Sequence, residues 1–207
     1  YQTLHPAIMW AEIVDWVKDR ISIDEATGKL DFRMYPAPSQ KYARLVDEMN
    51  LPSEFYAVKF YINDSFPGTQ QNLELVQDVV SRISSNHYVV DLGMPIRVDD
   101  HVTIGLKVSE RVIPAGARFE LHSNLGVQTE IIRRSKGLIG TNGGLSILPA
   151  FVGVPSLSFY SEPRMKFGPN LFQHESMALR LYETLANQSY MAMSTEDWQY
   201  VRHVFWS

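Results

Sequence analysis

The chain has 207 residues, 45% of them apolar and 20% charged, an ordinary globular composition with enough length to bury a real core. It contains no cysteine, which excludes disulfides, thiolate metal sites and cysteine nucleophiles and fits a reducing compartment. The formal net charge is -4 and no long basic run occurs, so nucleic acid is not an expected partner; the most apolar long window, 145–160, is broken by Pro149 and Pro155 and is too short to span a bilayer.

Residues 7–20 place Ile8, Trp10, Ile13, Val14 and Val17 at helical spacing, with Lys18 and Arg20 late in the run as a helix dipole favours. A turn is expected over 24–29 and a proline-bearing linker over 31–38. Ser39 is placed to cap a helix that runs to about Met49 and is stopped by Asn50 and Pro52. Segment 55–62, FYAVKFYI, then reads as a strand and 63–69 as a turn-rich loop. A helix over 70–84 carries Leu73, Val76, Val79, Val80 and Ile83, and a second strand covers 88–92. Loop 93–101 holds Arg97, Asp99, Asp100 and His101, and 111–113 reads as a short third strand. Asn124 is expected to cap a helix over 125–135. There follow a strand at 137–140, a helix over 143–152, a strand at 155–160, a helix over 168–187, a strand at 189–193 and a closing helix over 195–206.

Residues 1–50 are therefore expected to be a helical segment and linker, and 51–207 one α/β domain: a Rossmann-like parallel sheet flanked by helices, since strands alternating with helices at this spacing imply βαβ units. Such sheets bind ligands beyond the carboxyl ends of their strands. Loops 63–69, 93–101, 140–146 and 160–168 should then converge on one side of the sheet.

The sharpest local feature is segment 137–160, GLIGTNGGLSILPAFVGVPSLSFY. It reads strand, glycine turn, helix, Gly-Val-Pro turn, strand. Gly140, Gly143 and Gly144 remove side chains where the backbone comes close to something, and glycine tolerates positive φ. The amides at a helix start favour an anion, here those over Gly143, Gly144, Leu145 and Ser146, and Thr141, Asn142 and Ser146 can add side-chain donors. The alternative is a tight turn that binds nothing.

This segment resembles the donor-binding half of GT-B glycosyltransferases, especially the heptosyltransferase-like branch. Arg133, Arg134, Ser135 and Lys136 precede the strand; Thr141–Gly144 form the turn; Gly153, Val154 and Pro155 lead into the next strand. The strand beginning FYAVKFY is similar to the first strand of such a domain, and the likeness covers roughly residues 50–207. The chain departs from the pattern at two places. Asn142-Gly143-Gly144 replaces Asp-Ser-Gly, and Leu148 and Pro149 stand where a histidine is usual. Non-hydrolysing sugar-nucleotide epimerases share a similar glycine pair, so an epimerase of the same broad fold is one alternative function, and a non-catalytic ligand-binding domain is another.

The resemblance implies a nucleotide-sugar donor, a glycan or lipid-linked acceptor, and a role in glycan or surface-polysaccharide assembly. It implies no cofactor and no required metal, and a cytoplasmic place, peripheral to the inner membrane face in one version. GT-B enzymes have two Rossmann-like domains, which residues 1–50 cannot supply, and in most inverting members the general base lies on the other domain. A further N-terminal domain or a homo-oligomer is thus an expected partner, and the start at Tyr1 rather than Met suggests a partial chain.

Other candidates each have a plain alternative. Arg97 suits a phosphate or sugar contact through its forked guanidinium, or a surface ion pair. Asn63, with Asp64 and Ser65, faces the donor phosphates by resemblance, or caps the following helix. Glu162 suits ribose hydroxyls, and Arg164 and Lys166 suit a diphosphate, or all three are a solvated loop. His174 can donate to a phosphate or simply pack. Asp99, Asp100 and His101 offer metal-ligand chemistry, but adjacent residues rarely all face one ion. No HExxH, GxSxG, Walker A or GxGxxG pattern occurs, which argues against the corresponding hydrolases, ATPases and dehydrogenases.

Overall fold

A computed structural model describes residues 40–95, 101–107, 109–161 and 190–202. The sheet has six parallel strands: β1 (Phe55–Lys59), β3 (Tyr88–Asp91), β5 (Val112–Pro114), β6 (Leu138–Thr141), β7 (Ser156–Tyr160) and β8 (Tyr190–Ser194). They lie in the spatial order β5-β3-β1-β6-β7-β8. Numbered by chain position within this sheet, that is three-two-one-four-five-six, the doubly wound Rossmann order. The registers pair Val58 with Asp91 on one side of β1 and with Ile139 on the other.

Period-two alternation sends the side chains of β1 to two separate cores. On one face, Val58, Val89, Ile139 and Phe159 meet Val76, Val79 and Ile83 of α2 (Gln70–Asn86) and Trp198 of α5 (Thr195–Val201). On the other, Phe55, Ala57, Val90 and Leu138 meet Val127, Ile131 and Ile132 of α3 (Asn124–Arg134) and Val46 of α1 (Gln40–Asp47). The apolar residues of α2 form a stripe at helical spacing. Its start is fixed by Thr69, whose hydroxyl accepts from the Asn72 amide at 3.2 Å.

A charged clamp joins α1 to α3. Glu130, its side chain 1% exposed, accepts from Arg133 Nε at 2.8 Å and Nη2 at 2.6 Å and from Arg134 Nε at 2.6 Å. Arg134 then reaches α1, donating to Asp47 Oδ1 at 2.7 Å and to the Ala43 carbonyl at 3.2 Å. Burial pushes the Glu130 carboxyl up, but the two guanidiniums outweigh it and hold the group below its ordinary value.

Four expectations change in detail. Segment 55–62 is not one strand: after Lys59 the chain leaves the sheet, and β2 (Tyr61–Ile62) pairs antiparallel with β4 (Val102–Thr103) in a separate ribbon. Segment 143–152 is not one α-helix: α4 (Gly144–Ile147) passes into a 3-10 turn, Leu148–Val152, at Pro149, which has no amide to continue the α ladder. Asn124 does not cap α3; it is the first helical residue, and its side chain accepts from Gln128 within the helix. The third strand is Val112–Pro114. The helices expected over 7–20 and 168–187, the linker at 31–38 and Ser39 lie outside the described residues. Among the described residues no helix is long and apolar enough to cross a membrane.

Candidate active-site crevice at the strand-order reversal

The strand order reverses between β1 and β6, so the segments leaving these neighbours wind toward opposite faces, and the carboxyl ends of strands at such a reversal are where doubly wound sheets bind ligands. Gly140 allows the two strands to lie close: a Cβ there would sit 2.1 Å from the Lys59 carbonyl oxygen. Beyond it Thr141 stitches the strand ends together. Its hydroxyl accepts from the Tyr61 amide at 3.0 Å and donates to the Tyr61 carbonyl at 2.8 Å.

The loops after β2, β6 and β7 are tied to one another. Asn63 Nδ2 donates to the Asn142 carbonyl at 3.2 Å, while Asn63 Oδ1 accepts from the Phe66 amide at 2.7 Å and the Ser65 hydroxyl at 3.0 Å. The Ser161 amide donates to the Ser65 carbonyl at 2.8 Å. His101, the described end of loop 93–101, stacks against Tyr61 with ring centroids 4.3 Å apart.

Within the 141–146 turn the side-chain groups bond inward. Asn142 Nδ2 donates to the buried Ser158 hydroxyl at 3.1 Å and to the Tyr190 hydroxyl at 3.2 Å. The Ser146 hydroxyl donates to the Gly143 carbonyl at 2.7 Å. Gly143 is extended, with φ of 165°, so the positive φ expected of the turn is not found there. Its lack of a side chain answers a steric need: a Cβ would lie 2.2 Å from the Tyr61 hydroxyl. Leu145 packs partly into the α3-side core. The turn presents the first-turn amides of Gly144 and Leu145, which have no carbonyl of the same helix to bond.

Two residues near these strand ends are not singled out by the sequence. Lys59 and Tyr61 read there as ordinary members of a strand, although a lysine near the carboxyl end of an otherwise apolar run is the available signal. Lys59 Nζ donates to Gln128 Oε1 on α3 at 2.9 Å, and Gln128 in turn donates to Asn124. Burial lowers the Lys59 ammonium to about 8, against a smaller opposing pull from Asp91. Asp91, at the end of β3, is pushed up to about 6 by burial; the hydrogen bond from the Gly93 amide at 2.8 Å and the charge of Lys59 offset part of that rise. Burial likewise raises the Tyr61 phenol, so it stays protonated.

The other expected contacts, Arg97, Glu162, Arg164, Lys166 and His174, lie outside the described residues, as do Asp99 and Asp100. Among the described residues no group of three His, Asp or Glu side chains could hold a metal ion.

No family model matches the chain, and no curated protein matches it. Among solved structures, the chain is similar to the glycosyl transferase family 9 protein of Veillonella parvula DSM 2008. The two are 15% identical, with a TM-score of 0.42 over 80% of this chain and 42% of the other. The chain thus spans less than half the length of that protein.

Proposed function

We propose that this domain binds a nucleotide-sugar donor in the crevice between the ends of β1 and β6, as the donor-binding half of a GT-B-like glycosyltransferase of the heptosyltransferase-like branch. One observation carries the reading. The reversal of strand order falls at the turn 141–146 that resembles the donor-binding turn of those enzymes, and reversals of this kind are where doubly wound sheets bind nucleotides.

In this reading the amides of Gly144 and Leu145 receive phosphate oxygens, and their fixed dipoles stabilise the charge that develops on the departing nucleoside diphosphate. Arg97, Arg164, Lys166 and His174 would add donors, and Glu162 would take ribose hydroxyls. Thr141, Asn142, Asn63 and Ser146 act by fixing the turn, because their side-chain hydrogen bonds hold its backbone and its neighbours. The acceptor is a glycan or lipid-linked sugar, its base comes from a partner domain, no metal is required, and the product enters glycan or polysaccharide synthesis at the cytoplasmic face of a membrane.

The test is calorimetric titration with UDP, GDP, ADP and CMP, with and without magnesium. Gly144→Pro removes one first-turn amide at a position where proline suits a helix, and the extended Gly143 before it tolerates proline. Binding of one nucleotide, weakened roughly tenfold in this variant, is expected from loss of one charge-assisted hydrogen bond. No binding of any nucleotide at millimolar concentration would sink the reading.

A further inference from the structure

Tyr190 opens β8, the last strand of the sheet order and two strands away from β6 and the turn that follows it. Its ring packs with Ala150 and Ile147 of the 144–152 segment. Its hydroxyl accepts from Asn142 Nδ2 at 3.2 Å and lies 3.3 Å from the Ser158 hydroxyl of β7, which accepts from the same Nδ2 at 3.1 Å. All three residues are buried, and the three groups close a triangle of hydrogen bonds.

The backbone of Asn142 is fixed as well. Its amide donates to the Phe159 carbonyl at 2.9 Å, and its carbonyl accepts from Asn63 Nδ2 at 3.2 Å and from the Ser65 hydroxyl at 3.4 Å. The next two residues, Gly143 and Gly144, have the least intrinsic preference for one backbone path. Where they lie is set by the anchors on either side. One anchor is Ser146, whose amide and hydroxyl donate to the Gly143 carbonyl at 3.0 Å and 2.7 Å. The other is Asn142. Apolar side chains behind Asn142 would pack without desolvating any polar group, but they would hold it in no particular orientation; a buried hydrogen-bonded network does.

We infer that Tyr190 is a positioning residue: its hydroxyl, acting through Asn142, holds the 141–146 turn in the shape that receives the ligand. The inference rests on that turn being part of the proposed donor site, and it goes beyond that reading by giving the sixth strand of the sheet a share in the control of affinity. A turn already held in its bound shape loses less freedom when the ligand arrives.

Tyr190→Phe keeps the ring that packs with Ala150 and deletes only the hydroxyl. UDP, GDP, ADP and CMP are titrated calorimetrically, and amide hydrogen exchange is read by NMR. The exchange compares the hydrogen-bonded amides of Asn142 and Ser146, in the turn, with those of Ala57 and Leu92, in and beside the central strands. We expect Tyr190→Phe to speed exchange at the turn about tenfold beyond any change at Ala57 and Leu92, and to weaken the nucleotide that wild type binds about fivefold. Asn142→Ala should weaken that nucleotide by itself, and adding Tyr190→Phe to it should change the affinity no further, because the hydroxyl acts through Asn142. If Tyr190→Phe does not fold, Ser158→Ala, which removes the other oxygen of the triangle, is read in the same way. Unchanged exchange overturns the inference, as does an equal rise at the turn and in the strands, which marks lost stability alone. Independent losses of affinity in the double variant overturn it, and so does faster exchange at the turn with unchanged affinity, which leaves the donor site standing without Tyr190. Faster exchange confined to the turn, in a protein that binds no nucleotide, upholds the anchoring of the turn by Tyr190 and removes the nucleotide-sugar reading.

Discussion

Tyr61 and Gly143 share one space: a Cβ at position 143 would lie 2.2 Å from the Tyr61 hydroxyl and 3.4 Å from the ring carbon that bears it. Deleting only the hydroxyl therefore removes the clash. Gly143→Ala should destabilise the fold by about 1–3 kcal/mol, the usual cost of overpacking, because extended backbone at 143 imposes no further penalty. Tyr61→Phe alone should be near neutral, since it costs no hydrogen bond to a described residue. The double variant should recover most of the loss, giving a coupling of about 1–2 kcal/mol in urea unfolding. Additive effects would show that Gly143 is needed for another reason.

The Glu130 clamp predicts a second stability effect. Glu130→Gln removes the carboxylate shared by Arg133 and Arg134 and loosens α1 from α3. The expected cost is about 3 kcal/mol, the low end for breaking a buried pair, because both guanidiniums keep a solvent-exposed edge. The Glu130 carboxyl is depressed in the folded state, so its stabilisation is present above the unfolded value and is lost as pH falls through the folded one. Wild type and variant should therefore converge in acid, measured as unfolding midpoints between pH 7 and pH 3.

Asp91 has the opposite sign. Its folded-state pKa is raised to about 6, so between roughly pH 4 and 6 the native protein holds the proton more tightly than the unfolded chain. Stability from this group is present at the acid end and is lost as pH rises through 6, by an amount of order 1–3 kcal/mol. Asp91→Asn should flatten that slope, and urea unfolding from pH 4 to pH 7 checks it. An identical slope in the two proteins would show that Asp91 titrates normally.

Much of the fold is legible in the sequence. The α2 stripe of Val76, Val79, Val80 and Ile83 and the apolar strand runs announce their elements through local periodicity. The break after Lys59 is not legible, because β2 departs to pair with the two-residue β4, and so short a strand leaves no periodic signature. In the crevice, the sequence points to 141–146 but not to the reason its glycines are there. Gly140 and Gly143 make room for the Lys59 carbonyl and the Tyr61 hydroxyl, neighbours some eighty residues away in the chain.

The sequence by itself determined the alternation of strands and helices, hence a parallel α/β sheet, because side-chain periodicity is a local property of the backbone. Only the tertiary structure decided that β1 lies between β3 and β6, and so where the order reverses. It also decided that Lys59 meets Gln128 and the Tyr61 hydroxyl lies over Gly143 while Asn142 turns inward to Ser158 and Tyr190. Those outcomes depend on which distant strands pair and which buried polar groups find partners, and both are settled by packing across the chain rather than along it.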